Sequence, residues 1–129
     1  MALEYYIRKN MEKALKLDKY DGQAPTSTCV DDTFYILNSS LLRCVASMNA
    51  DATSVLIGVV GRLLNDDYIS VLNKKLGGAF SDVGDDRDAR AIFMICLNDV
   101  DVSCDYMKEV CTKVNLFSWV IKYCVKWRN

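Results

Sequence analysis

Six cysteines, an acidic cluster and two closely spaced glycines are the residues with which this sequence could carry out chemistry, and each falls short of a site. Cys29, Cys44, Cys96, Cys104, Cys111 and Cys124 include no C-x-x-C pair, and the chain contains no histidine. A zinc site therefore lacks both its ligand spacing and its second ligand type. Four of the cysteines fit the apolar helical stripes described below. That is the behaviour of reduced packing residues, since free cysteine buries like a small hydrophobe in a reducing compartment. Without histidine, Ser-His-Asp and Cys-His arrangements are excluded, which leaves only lysine or carboxylate chemistry for catalysis. The expectation is a non-enzyme with no catalytic, cofactor-binding or metal-binding residues.

Asp82, Asp85, Asp86 and Asp88 invite a calcium reading. Gly84 is misplaced for an EF-hand loop, however, and no glutamate closes the loop at the required distance. They read as solvated acids at a helix start. Gly58 and Gly61 are too close for a phosphate loop and lack its lysine. They read as small residues that let another helix approach. Tyr5, Tyr6, Tyr20 and Tyr35 lack the flanking basic pattern of single-strand binders, so core edge or interface is their default role. In the tail Leu116 to Arg128, the residues Leu116, Phe117, Trp119, Val120 and Trp127 accompany Lys122, Lys126 and Arg128. Such a segment either rests at a membrane interface or sets cations at a helix C-terminus while its aromatics pack or sit exposed.

These residues must be positioned by a chain of 129 residues. That length suits one domain able to bury roughly two thirds of its unfolded surface. Hydrophobic residues make up 51% against 26% charged, too apolar for a disordered tail. A net charge of -1 argues against nucleic acid as a partner. Glu4, Arg8, Lys9 and Glu12 interrupt any secretory h-region near the N-terminus. The apolar run Val55 to Val60, extended to Leu64, contains Arg62 and falls far short of the roughly 20 residues needed to cross a bilayer.

Apolar spacing predicts four helical stretches and no competing strand. The first spans about Leu3 to Leu17, with Leu3, Ile7, Met11 and Ala14 or Leu15 on one face. Asp21 to Ser27, with the only proline at Pro25, is a linker. Thr28 and Asp31 resemble a capping box opening a second helix with Val30, Phe34, Leu37, Leu41, Cys44 and Met48. Asn49 or Asp51 caps a third, carrying Val55, Leu56, Val59, Leu63, Val71, Leu72 and Leu76, and Asn65, Asp66 and Asp67 allow a break near its middle. Gly77 and Gly78 end it, and Ser81 to Asp86 is a polar loop. The last helix starts among Asp85, Asp86 and Asp88 and runs to the end without glycine or proline. Its narrow seam is Phe93, Leu97, Val100, Cys104, Met107, Cys111 and Val114, with Ile121 and Val125 in register. The fold class expected is all-α, a bundle or hairpin of about four helices with a long C-terminal helix. The seam is the candidate surface for meeting a partner helix.

The segments EYYIRKNMEKALKLDKY (Glu4 to Tyr20), VDDTFYIL (Val30 to Leu37), ISVLNKKLGGAF (Ile69 to Phe80) and FMICLNDVDVSCDYMKEV (Phe93 to Val110) resemble, in that order, consecutive stretches of one family. It is the family of fourth subunits of the conserved oligomeric Golgi complex. The resemblance implies a helix-rich, non-catalytic subunit of a multisubunit tethering complex, acting in intra-Golgi retrograde vesicle transport and Golgi organisation. It further implies a peripheral membrane protein of the cytosol and the cytoplasmic face of the Golgi membrane. The implied partners are the other subunits of the complex and, through regions absent here, SNARE machinery. Family members are several-fold longer, so residues 1–129 are expected to form a single helical region from an internal, N-terminal-half segment, as a fragment or truncated isoform. Residues 111–129, with NLFSWVIKYCVKWRN, form a divergent tail. The alternative reading is a helical adaptor of unrelated descent.

Overall fold

Where apolar residues recur every three or four positions, a helix buries them as one stripe, and α2 shows this most simply. The computed structural model describes the backbone of residues 2–19, 24–82, 84 and 87–128. It describes the side chains of the same residues except 2, 120, 121 and 123–128. In α2 (Thr28–Ala46), Val30, Phe34, Leu37, Leu41 and Cys44 are all buried, as their spacing predicts. Met48 leaves the stripe. It adopts a left-handed φ of 57° just past the helix end at Ser47, and Asn49 then caps the next helix by accepting a hydrogen bond from the Ala52 N–H at 3.0 Å. A residue in this conformation cannot extend the helix, so α2 and α3 fold into a tight corner.

α1 (Ala2–Lys16) buries Ile7, Met11 and Ala14. α3 (Ala50–Arg62) buries Leu56, Val59 and Val60 but leaves Val55 exposed, which corrects its placement in the core. No break follows. The backbone widens into a π-helical segment, Leu63–Tyr68, and continues as α4 (Ile69–Asp82). The wide turn has a packing reason. Steps of four and three from Leu63 would bury Asp67 and Ser70; one extra residue per turn substitutes Tyr68 and Leu72, both buried.

Gly77 and Gly78 do not end α4 either, since both lie within it and neither has positive φ. Helix persists to Asp82 because the turn beyond the glycines has contacts of its own. Ala79 is buried, and the Phe80 ring sits 5.8 Å from that of Phe93. Tertiary packing overrides the local glycine preference. The polar loop predicted from Ser81 is correspondingly shorter. α5 (Arg87–Arg128) follows with Asp88 in its first turn; Asp85 and Asp86 lie outside the described residues.

Cross-helix contacts fix the arrangement. Tyr6 and Arg43 line one groove and Leu17 and Asp32 another, so α1 and α2 are antiparallel. Ser27 meets Asp99 and Tyr106 meets Asp31, so α2 and α5 run parallel. Lys75 meets Asp99 and Tyr68 meets Ser103, so the α3–π–α4 rod opposes α5. The described residues form an up-down-up-down four-rod helical bundle. Phe34 sits where three rods converge. Its ring lies edge-on to Tyr68 at 5.4 Å and tilted on Tyr106 at 5.1 Å, and Phe34→Ala would cost about 3–5 kcal/mol.

Candidate functional site

The least expected feature is a charged centre inside the bundle, assembled from four segments separate in sequence. The Asp18 carboxylate, just past α1, accepts a hydrogen bond from the Cys29 N–H at 2.9 Å and another from the Lys75 ammonium. Asp99, fully buried on α5, accepts from the Ser27 N–H at 2.8 Å and the Ser27 hydroxyl at 2.7 Å, with Lys75 Nζ at 3.5 Å. Lys75 also reaches Ser27 Oγ at 3.2 Å and Cys29 Sγ at 3.4 Å. Next to this, Ser103 donates its proton to the Asp99 carbonyl oxygen. The Tyr68 hydroxyl, 2.6 Å from Ser103 Oγ, is therefore the donor in that contact.

This centre also replaces the predicted cap of α2. Ser27, not Thr28, is the N-cap residue, and its side chain makes no cap bond to the helix. The Thr28 hydroxyl instead accepts from the Lys19 N–H at 3.0 Å. Asp18 supplies the anion at the helix N-terminus from outside the helix, which satisfies an amide that α2 cannot satisfy itself.

Burial opposes ionisation of Asp18, but hydrogen bonds from Lys75, Cys29 and Ser27 together outweigh it and hold the carboxyl below its ordinary value. Burial raises the Cys29 thiol, and it raises the Tyr68 phenol more strongly. Both stay neutral over the physiological range, so neither is an activated nucleophile. The groups that face Lys75 are committed to one another, and the grooves described below are lined by other residues. The arrangement locks α1, α2, α4 and α5 in one register and offers no seat for a reacting atom.

Spacing alone conceals Asp99 and Ser103, because they are polar residues on the buried face of α5. That face is Cys96, Asp99, Ser103 and Val110, rotated from the predicted seam by a little less than one residue's step of about 100°. Of the seam residues, Leu97, Cys104 and Cys111 are exposed, and Phe93, Val100, Met107 and Val114 are half-buried. The seam therefore borders the bundle core and is not part of it. Its lower half lines an apolar groove of about 440 Å³ with Ile57, Val60, Gly61, Leu64 and Ile69. Nothing lies within 4 Å of where a Cβ on Gly61 would be. Beyond the groove Leu116 and Trp119 are exposed while Phe117 packs on the core. The side chains of Val120, Ile121, Cys124, Val125, Lys126, Trp127 and Arg128 lie outside the described residues. Cys29, Cys44 and Cys96 are buried, unlike Cys104 and Cys111, so packing accounts for only some of the cysteines. No group of three or more candidate metal ligands occurs among the described residues, nor is any described helix long and apolar enough to cross a membrane.

Residues 2–76 match the family model described as COG4 transport protein, middle alpha-helical bundle. The chain is 30% identical to the Arabidopsis thaliana protein named conserved oligomeric Golgi complex subunit 4, an alignment covering 85% of this chain and 17% of that protein. To the Drosophila melanogaster protein of the same name it is 25% identical, covering 83% of this chain and 17% of the relative. To the Mus musculus protein it is 38% identical over 77 residues, which are 60% of this chain and 10% of the relative. The chain thus spans about a sixth of the length of these relatives, or less. No solved structure matches it.

Proposed function

Because this chain belongs to the conserved oligomeric Golgi complex subunit 4 family, we propose that it is a non-catalytic helical module of a Golgi tethering complex. It would act at the cytoplasmic face of Golgi membranes in intra-Golgi retrograde vesicle transport and Golgi organisation. Its partners are helices of the other subunits, and SNARE machinery is met by parts of the longer relatives that this chain does not span. Family membership removes the reading of unrelated descent.

The observation that carries the proposal is the contrast between the two faces of α5. Its polar buried face is saturated by partners within the bundle. The apolar edge formed by Leu97, Cys104 and Cys111 is exposed and runs into the groove at Cys111, with half-buried Phe93 at its upper end. An apolar edge of this kind buries well only against another helix. A supporting feature is the aromatic pair Phe80–Phe93 at the α4–α5 end, where Phe80 is 67% exposed. The experiment is recovery of Golgi-complex subunits with the tagged chain and with a Leu97→Glu/Cys111→Glu variant. The variant keeps its helix content, because both positions are exposed, and loses the subunits. Equal recovery by both proteins would refute the proposed surface.

A further inference from the structure

Outside the α5 edge, a second surface lies between α1 and α2. Two grooves share Asn10, Tyr35 and Ile36 and so form one furrow, which runs from Leu17 and Asp32 at one end to Tyr6 and Arg43 at the other. Its length along α1 is roughly 16 Å, about three helical turns. Ala14 and Ile36 floor it, and Tyr35, 74% exposed, stands over it with Tyr6 and Leu17 also exposed. Exposed aromatic side chains along a groove between helices are the usual anchors for an incoming amphipathic helix.

The charges identify the occupant. Lys9 is paired with Glu12 at 3.6 Å and lies over the Tyr5 ring. Lys13 at one end of the furrow and Arg43 at the other form no ion pair with any described residue, and Asp32 is the single carboxylate lining it; Lys16, likewise without an ion pair, lies beside that end in an adjoining groove whose carboxylate, Glu12, is the one paired with Lys9. The chain as a whole carries -1, so this face is opposite in sign to the balance of the molecule. We propose that the α1–α2 furrow docks a partner's acidic amphipathic helix. Such a helix places its apolar stripe on Ala14, Tyr35 and Ile36 and its carboxylates against Lys13, Lys16 and Arg43. The inference goes beyond the Golgi assignment and stands independently of it.

The test is binding of the purified chain to a synthetic helix of about 14 residues, long enough for the furrow. The helix carries leucines at i, i+3, i+4 and i+7 and glutamates on both flanks, with glutamine and lysine versions as controls. Phosphatidylserine vesicles are measured in parallel, because a bilayer also offers negative charge. The expected result is that the glutamate helix binds about tenfold tighter than the glutamine one, as two exposed ion pairs would give. The lysine helix binds least, and Lys13→Glu/Arg43→Glu inverts the order. If that variant loses helicity, Lys13→Gln/Arg43→Gln is used and must abolish the glutamate preference. Equal binding of all three helices, no binding, an unchanged order in the variant, or binding to vesicles but not to the helix would each overturn the proposal.

Discussion

Replacing Lys75 by methionine removes the one cation shared by Asp18 and Asp99 while keeping a side chain of similar length and shape. Asp99 is fully buried and Asp18 only 9% exposed, so two carboxylates lose a charged hydrogen-bond donor and face each other in a poorly solvated interior. Breaking a buried pair by removing one partner costs about 3–5 kcal/mol. Ser27 still donates twice to Asp99, and Cys29 still donates to Asp18, which places the expected loss at about 3 kcal/mol. Domains of this size hold only about 5–15 kcal/mol in total. Urea unfolding followed by far-ultraviolet circular dichroism should therefore show a lower midpoint at an unchanged slope. Adding Asp99→Asn to Lys75→Met should recover part of the loss, because the second change removes an uncompensated charge. A Lys75→Met loss under about 1 kcal/mol, or an additive double variant, would refute a centre that acts as a unit.

The same centre sets the pH response. Asp18 has its folded value below the unfolded one, so its contribution is complete above about pH 5 and is lost on acidification through the folded value; Asp18→Asn should flatten that acid slope in pH-resolved melts. Tyr68 is shifted upward, so stability should fall as pH rises above about 10, where the unfolded phenol ionises, and Tyr68→Phe should reduce that alkaline dependence, leaving the part due to the raised Cys29 thiol and Tyr106 phenol. Deleting Asn65 should convert the π turn to an α turn and rotate α4 by about 100°, carrying Tyr68, Leu72 and Lys75 out of the core. Near-ultraviolet dichroism should then be lost while far-ultraviolet helicity persists. Gly77→Ala/Gly78→Ala should raise stability by about 1–2 kcal/mol in thermal melts, since both positions are helical with open space where a Cβ would sit.

Legibility differed between elements for physical reasons. The apolar stripe of α2 was readable because Val30, Phe34, Leu37, Leu41 and Cys44 keep helical spacing, although Thr33 and Ser40 are buried beside it and its cap and its Met48 end were not. In α5 the same periodicity was visible, but the buried positions are held by Asp99 and Ser103. The run of apolar residues beside them therefore looked like the core and is its outer edge. The π segment is a compromise between apolar positions in α3 and α4 that are out of phase. Asn65, Asp66 and Asp67 marked its place, though not that the chain would stay helical. The charged centre had no local signal. Asp18, the Ser27–Cys29 start of α2, Lys75 and Asp99 lie on four separate segments, and none is marked by its neighbours in sequence before the rods pack. Its one hint was the pair of polar residues, Asp99 and Ser103, four apart between Cys96 and Val110.

In the proposed function the outward edge of α5 meets helices of a Golgi tethering assembly, and Cys104 and Cys111 lie on that edge. In a Cys124→Ser background, a thiol-directed photocrosslinker attached there should leave the buried Cys29, Cys44 and Cys96 unlabelled. Irradiation in cell extract followed by mass spectrometry of the conjugates reads the contact directly. The expected products are conjugates to helical segments of Golgi-complex subunits, lost in Cys104→Ser/Cys111→Ser. Conjugates only to proteins outside that complex, or none above the serine variant, would contradict that contact.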